Sequence, residues 1–169
     1  MRKSNQCAFS LSELLLTLAI IAIGTSIAIP ALGTVVDKSH QNSLRDTLHA
    51  SLQQARAHAI LHRRKVEVCA SRDGLNCHTD WSSGWMTRQS GDNQNPLQRF
   101  QQSQKSSLQW AGFDKTIRFH PNGTSPTSNG RFYLCYRGGV AWQLILNRQG
   151  RVRPGTQKEN NNLAAKCTS

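Results

Sequence analysis

The chain reads FSLSELLLTLAIIAIGTSIAIPAL over residues 9–32, a run of 24 residues in which Glu13 is the only charged side chain. A charge in an apolar segment is costly and normally has a partner, because lipid supplies no water to solvate it. The preceding residues, MRKSNQCA, form a short basic leader. If the chain is cleaved between Ala8 and Phe9, the new α-amino group of Phe9 is a cation that Glu13 of a neighbouring subunit can neutralise. The segment therefore predicts a subunit that assembles into a polymer.

This arrangement resembles the class III signal peptide of type IV pilins and pseudopilins, in which Gly precedes Phe-Thr-Leu-x-Glu and an apolar helix. The resemblance covers residues 8–32, including Pro30 where helices of the family commonly kink, and Ala8 replaces the usual Gly. It implies cleavage by a prepilin peptidase, N-methylation of Phe9, and assembly with other pilin subunits through Glu13. It also implies a precursor in the bacterial inner membrane and a mature protein in an extracellular pilus fibre or at its tip.

Two simpler interpretations of the same segment stay open. A basic stretch before an apolar one is also typical of a secretory signal with cleavage near residues 26–31, although Glu13 would weaken such a signal. The other is an uncleaved single-span anchor, since helical residues that rise about 1.5 Å each make this run long enough for a bilayer core of roughly 30 Å.

Downstream of this run, apolar residues recur at helical spacing. They are Leu44, Leu48, Leu52, Ala55 and Ala59, each three or four positions after the last, and this spacing predicts one buried helix face. We therefore expect one helix from residue 9 to about residue 62. It should be apolar all round in its first half and amphipathic in its second, where it should pack on a sheet.

From residue 63 the sequence changes to short runs that are typical of strands and are separated by turn residues. The small polar stretch 124–129 is expected to be a mobile loop. Strands are expected near residues 65–71, 84–88, 97–101, 107–111, 116–120, 131–136, 140–147 and 151–153.

The predicted fold class is α+β. A long N-terminal helix, with a membrane half and an amphipathic half, should pack on a β-rich globular head of two small antiparallel sheets. The expected divisions are the leader (1–8), the transmembrane and assembly helix (9–33), the amphipathic helix of the head (34–62) and the β-rich head with a basic C-terminal ribbon (63–169).

Five cysteines become four when the leader is removed. An even number in an exported domain indicates two disulfides. Three pairings are possible, and the short interval from Cys69 to Cys77 favours that pair, which leaves Cys135 with Cys167. The second bond would hold the polar tail 157–166, which we otherwise expect to fray. Because no C-x-x-C or regular Cys/His spacing is present, a zinc site is disfavoured.

The chain is strongly basic, with a formal net charge of +12, of which Arg2 and Lys3 of the leader contribute two. Residues 100–169 contain ten Lys or Arg against two acids, Asp114 and Glu159. Such a field attracts polyanions, which include nucleic acid, anionic lipid and acidic polysaccharide. A basic surface that only keeps the protein soluble is the alternative.

The head also resembles the GspH/FimT branch of the pilin-like proteins. The matching pieces are Ala55-Arg56, the Cys69 strand, Gly84-Trp85-Met86, the run from Ile117 to Gly123, and Gly150-Arg151-Val152-Arg153. The branch includes the minor pseudopilin at the tip of type II secretion fibres and FimT minor pilins. In FimT proteins of naturally transformable bacteria a C-terminal Gly-Arg-x-Arg motif is implicated in DNA binding, so the resemblance implies this role for residues 150–153.

The motif also has a physical rationale. Gly150 allows a turn with positive φ. On a strand, Arg151 and Arg153 should project from one face about 6.6 Å apart, a spacing that suits two phosphates, while Val152 faces inward. Arg148, across the turn, could add a third contact. The planar arginine fork donates to phosphate oxygens bidentately and keeps its charge.

Two further basic residues, Lys105 and Arg137, are weaker candidates because they lie near predicted loops of the basic half. No residue that reads bases is evident, so binding to double-stranded DNA should be independent of sequence and strongly dependent on salt. Solvated charge that prevents pairing at a strand edge is the alternative explanation of the Arg-x-Arg pattern.

Catalysis and cofactors have little support in the sequence. His58 and His62 share a helix face without an HExxH motif, and they better suit the C-terminal end of the helix, where cations are favoured. The nine acids form no pattern of paired carboxylates for a metal-dependent nuclease. We therefore expect a non-enzymatic minor pilin that binds DNA during natural transformation. The main alternative is a tip pseudopilin of type II secretion, and an adhesin for another anionic polymer is a third.

Overall fold

The computed structural model describes residues 11–92, 95–102 and 106–167 of the chain, apart from the side chains of residues 27–31. The chain divides into two compact units, Met1–His40 and Gln41–Ser169.

Helix α1 spans Leu11–Leu61, and its residues 11–40 belong to the first unit. Apolar side chains of this part are exposed, such as Leu11 and Ile23. The hydroxyl groups of Thr17 and Ser26 donate to carbonyl oxygens one turn earlier, at 2.8 and 2.7 Å. These polar side chains are thus satisfied by the helix itself and need no water.

Within the described residues, no helix is long and apolar enough to cross a membrane. The membrane segment expected over residues 9–33 includes residues 9 and 10 and the side chains of 27–31, which lie outside the described part of the chain.

In the second unit, the apolar residues of α1 that recur at helical spacing are all buried. Leu48, Leu52 and Ala59 have no exposed surface, and they join one core with residues of both sheets, including Val68 and Phe132. The expected amphipathic face and its packing on β-structure are confirmed.

Within the described residues, eight strands form two four-stranded sheets, and every pairing is antiparallel. Sheet 1 has the order β3-β2-β1-β5 and sheet 2 the order β4-β6-β7-β8. The strands are β1 Val66–Ala70, β2 Gly84–Gln89, β3 Pro96–Gln101, β4 Leu108–Gly112, β5 Ile117–Phe119, β6 Gly130–Tyr136, β7 Gly139–Leu146 and β8 Val152–Pro154.

The stretch 124–129 differs from the expected mobile loop. Ser125 and Ser128 are fully buried, and the Ser125 hydroxyl donates to the carbonyl of Arg118 at 2.8 Å. The Ser128 hydroxyl donates to the carbonyl of Thr116 at 3.2 Å. The expectation was wrong because small hydroxyl side chains, which are common in mobile loops, here bond the backbone of the neighbouring strand region.

The polar tail has regular structure that the sequence pattern did not predict, helix α2, Gln157–Leu163, and a 3-10 turn, Ala164–Cys167. A capping box begins the helix: the Thr156 side chain accepts from the Glu159 backbone, and the Glu159 side chain accepts from the Thr156 backbone. The T-x-x-E spacing was a signal for this start. Asn160 then accepts a hydrogen bond from Gln143 of β7 at 3.1 Å, which holds α2 on sheet 2.

Among the described residues, two disulfides cross-link the second unit. They join Cys69 to Cys77 and Cys135 to Cys167, with Cα separations of 5.5 and 5.4 Å. These are the pairs that the short first interval favours, and the second bond ties the end of the 3-10 turn to β6.

Candidate nucleic-acid interface

The Gly-Arg-x-Arg motif begins in the tight turn that joins β7 to β8. The Asn147 carbonyl accepts from the Gly150 amide at 3.0 Å, and the Asn147 amide donates to the carbonyl of Arg151 at 3.1 Å. The Asn147 side chain also accepts from the Arg151 amide at 2.9 Å. Asparagine favours such turns because its side chain can bond the backbone nearby. The turn therefore fixes where Arg148 and Arg151 leave the backbone.

Glycine is required at position 150 for two reasons. Its φ is +75°, in the left-handed region that side chains disfavour. A β-carbon there would also lie 2.1 Å from the carbonyl oxygen of Gly123. The glycine of the motif is thus required for the turn and for close backbone packing, and its expected contact with DNA stays a prediction.

The turn is anchored to α1 by Arg56, a residue for which the sequence pattern predicts no part in the interface. Its Nε donates to the carbonyl of Gly123 at 2.9 Å, and its Nη2 donates to the carbonyl of Gln149 at 3.2 Å. The Ser125 amide adds a third anchor by donating to the carbonyl of Arg148 at 2.9 Å. Three backbone carbonyls in and beside the turn therefore accept hydrogen bonds that hold the turn in place.

Arg148 and Arg151 are both exposed. In the part of the chain that the structure describes, neither guanidinium group makes an ion pair or a side-chain hydrogen bond. Val152, between the two arginines of the motif, is buried in the core, as its expected inward orientation requires. Arg148 and Arg151 are available to an anionic ligand.

Arg153 is exposed too, but it is engaged in a bidentate ion pair. Its Nη1 and Nη2 donate to the two carboxylate oxygens of Glu159 at 3.0 and 2.7 Å. The hydrogen bonds from Arg153, with that from the Thr156 amide, lower the pKa of Glu159 to about 2. The same pairing raises the pKa of Arg153. Its Nη1 also donates to the carbonyl of Pro154 at 3.2 Å, so Arg153 offers an anionic ligand only the donors that these partners do not use.

The strand register of sheet 2 brings further residues to the same face as Arg153. Arg131 lies opposite Ile145, which lies opposite Arg153. Directly opposite residues share a face, so Arg131 and Arg153 are about 10 Å apart across two strand spacings. This outer face is opposite the core, because the alternate residues Phe132 and Leu144 are buried. Arg131 joins Arg148, Arg151 and Arg153 in what we call the arginine cluster.

Two rows of residues cross the outer face at this end of sheet 2, and neither contains Asp or Glu. The first row is Ala111, Arg131, Ile145 and Arg153, and the second, just beyond the strand ends, is Phe113, Asn129, Asn147 and Arg151. The second row is marked by hydrogen bonds from the Phe113 amide to the Asn129 carbonyl, 3.2 Å, and from the Asn147 amide to the Arg151 carbonyl.

An open groove of about 800 Å³ lies over these rows. Its lining includes Arg131, the turn residues Asn147 and Arg148, and Phe113. Phe113 is 85% exposed, which is unusual for a ring of this size. The groove therefore combines guanidinium groups, amide side chains and one uncovered aromatic ring.

The other expected ligand residues are not brought to this cluster. Arg137 lies in the turn between β6 and β7, with φ of +49°, and its guanidinium is 5.0 Å from the ring centre of Tyr136. That turn is at the opposite end of β7 from Arg148, about 24 Å away at the usual strand rise. Lys105 lies outside the described residues, as do Ala8 and Phe9. Glu13 lies in the first turn of α1, and its expected pairing with Phe9 stays a prediction.

The histidines form no catalytic arrangement with the groove. The rings of His58 and His62 are 4.1 Å apart on α1, and burial, with the charge of His62, lowers the pKa of His58. Among the described residues, no three His, Cys, Asp or Glu side chains are grouped to hold a metal ion.

Comparisons with known proteins match most of the sequence. Residues 45–150 match the family described as "Type II transport protein GspH", and residues 3–29 match the "Prokaryotic N-terminal methylation motif". A search of curated proteins finds no match. The first family match ends at Gly150, so Arg151 and Arg153 lie outside it.

Two solved structures of the type IV minor pilin FimU from Pseudomonas aeruginosa strain PAO1 are similar to the chain. One superposes with a TM-score of 0.57 at 24% identity, covering 72% of this chain and 92% of that one. The other has a TM-score of 0.53 at 26% identity, covering 69% and 94%. These similarities support the fold of this chain, a long helix packed on a β-rich head.

Proposed function

The chain belongs to the GspH family of type IV pilin-like proteins, and from that membership we propose that it is a minor type IV pilin that binds extracellular double-stranded DNA for uptake during natural transformation. Members of this family are structural subunits and not enzymes. The methylation motif implies processing by a prepilin peptidase and assembly with other pilins. The chain is accordingly an inner-membrane precursor that enters a pilus or pseudopilus.

The observation that supports DNA as the ligand is the pair Arg148 and Arg151. Both are exposed, both leave one anchored turn, and both lack an acidic partner among the described residues. Arg131 extends the positive field across the outer face, where Arg153 is paired with Glu159. Guanidinium groups at fixed positions suit phosphate oxygens, and no base contact is needed for such binding.

The family description itself favours a second candidate, a pseudopilin of type II secretion. In that role the outer face of sheet 2 would contact another protein, and DNA affinity would be no greater than that of any basic protein. The two candidates differ in whether removing Arg148 and Arg151 has a larger effect than removing two other arginines.

The test is a comparison of two double variants of the full chain in detergent micelles, with binding to blunt duplexes of unrelated sequence measured over a range of salt. Arg148→Gln with Arg151→Gln should weaken binding severalfold and reduce the salt slope by about 0.9 for each phosphate that is no longer neutralised. Arg64→Gln with Arg99→Gln removes the same charge from exposed positions of sheet 1 and its neighbouring loop. This control should change affinity little. Equal effects of the two double variants would favour the secretion pseudopilin.

A further inference from the structure

The proposed duplex interface leaves one feature of the groove unexplained, the exposed ring of Phe113. On a duplex the bases are stacked inside, and a phosphate ridge offers an aromatic ring no favourable surface. Rings that project into basic grooves suit unpaired bases, because every base has a face on which a ring can stack. Phe113 is therefore better matched to single-stranded than to duplex DNA.

The surroundings of Phe113 have the chemistry that a single strand needs. Phe113 begins the second row of the outer face, and Arg151 ends it three strand spacings away, about 14 Å. Between them lie the amide side chains of Asn129 and Asn147, and Arg131 and Arg148 border the same groove. A strand laid across this row would meet an aromatic face, amide groups and guanidinium groups without passing an acidic residue.

The backbone keeps Phe113 in this position. Its amide donates to the Asn129 carbonyl at 3.2 Å, and the following Asp114 carbonyl accepts from the indole of Trp110 at 2.7 Å. Both flanking bonds use the backbone of the loop, so the Phe113 side chain takes no part in holding it. The ring can be changed while the loop is retained.

We propose that this groove binds single-stranded DNA, with an unpaired base stacked on Phe113 and the adjoining phosphates held by Arg131 and Arg148. The inference rests on DNA being the ligand of the arginine cluster. The head then binds frayed or single-stranded ends of DNA through a stacking contact that a blunt duplex cannot make.

The experiment measures binding of the full chain in detergent micelles to two probes, a short oligothymidine and a blunt duplex. Phe113→Ala should weaken binding of oligothymidine about fivefold or more, the lower end of what one stacked base contributes, and leave duplex binding unchanged. Phe113→Trp, which keeps a stacking ring, should bind both probes as the parent does. Leu75→Ala, at another exposed apolar side chain, is the matched control and should alter neither. Thermal melting of each variant establishes that it is folded.

A second measurement locates the stacked base directly. Oligothymidine carrying a single iodouracil should cross-link on irradiation to the peptide that contains Phe113, and the cross-link should be absent from Phe113→Ala.

The possible results separate this inference from the proposed function. If Phe113→Ala binds both probes like the parent, or weakens both equally, the single-strand site is refuted while duplex binding by the arginine cluster stands. If the parent binds neither probe, DNA binding itself is refuted and the inference fails with it. If Phe113→Ala keeps oligothymidine binding but no longer enters fibres, the single-strand site is refuted and the ring is a subunit contact.

Discussion

The arginines around Glu67 in sheet 1 and those of the β7–β8 turn beside sheet 2 differ in their pairing. In sheet 1, Glu67 accepts from Arg88 at 3.3 Å and from Arg118 at 3.1 Å, and Arg118 also pairs with Asp114. In sheet 2, Arg148 and Arg151 have no such partner among the described residues. A count of basic residues therefore overstates the charge available to a ligand, because some arginines are neutralised by nearby acids and others are not.

The strongest test of this contrast is Glu67→Ala, which should destabilise the head without affecting DNA binding. Burial alone would raise the pKa of Glu67, but hydrogen bonds from Arg118 and Ser90 and the charges of Arg118 and Arg88 outweigh it, so the pKa is lowered. Removing the carboxylate leaves two partly buried guanidinium groups without their shared partner. We expect a decrease of about 3 kcal/mol in the free energy of unfolding, measured by denaturant titration.

The pH dependence of that decrease has a defined sign. Because the folded pKa of Glu67 is below its unfolded value, its contribution is complete above the unfolded pKa and is lost as the pH falls through the folded one. The stability difference between parent and Glu67→Ala should therefore shrink only in acid. Weaker duplex binding by a folded Glu67→Ala protein would contradict the separation of the two sheets.

Gly150→Ala tests the sheet 2 side with an intermediate effect. The added β-carbon meets the Gly123 carbonyl and must accept a positive φ, so we expect a decrease of about 2 kcal/mol in unfolding free energy and severalfold weaker duplex binding. Gly138→Ala is the matched control, because Gly138 has φ of +74° but open space around it. It should cost about 1 kcal/mol and leave affinity unchanged. Equal effects of the two variants on binding would show that the packed turn does not position the cluster.

Glu159→Gln should give the smallest effect, and it should be a gain. Glutamine keeps the hydrogen bonds of the capping box but releases Arg153 from its ion pair, so duplex affinity should rise by a few fold. Since the pKa of Glu159 is about 2, its carboxylate is ionised and the ion pair is present throughout the neutral pH range. The gain in duplex affinity should therefore be the same at every neutral pH. Fluorescence anisotropy with a labelled duplex measures it. Unchanged affinity would mean that Arg153 does not face the ligand.

The helix and the fold class were predictable because their signals are local. The buried stripe from Leu44 to Ala59 follows the helical period, and most strands lie within a few residues of their expected positions. The acidic residues are scattered along the sequence and form no catalytic pattern, which agrees with the structural, non-enzymatic role of the family. The capping box that begins at Thr156 was also recognisable in the sequence. Helix α2 was not predicted because the residues that follow have a low apolar content.

The composition of the interface was not predictable, because it depends on strand order. Nothing in the sequence near Arg131 indicates that β6 lies between β4 and β7, and this order alone places Arg131 and Phe113 on the face of Arg153. The ion pair of Arg118 with Glu67 was not predictable for the same reason, since the two residues are 51 positions apart in the chain. The stretch 124–129 was misjudged because its hydrogen-bond partners belong to other segments of the chain.

The hydrogen bonds of Arg56 have a consequence for the order of folding. They join residues that are 67 and 93 positions apart in the chain, and interactions of such separation form late because a long loop must first be closed. The turn at residues 147–150 is closed by its own local hydrogen bonds, but its anchorage to α1 is completed only when the helix and sheet 2 have come together. A chain that has formed only its helix and local hairpins would therefore have the turn but not its Arg56 anchor, and the direction in which Arg148 and Arg151 leave the head would not yet be fixed.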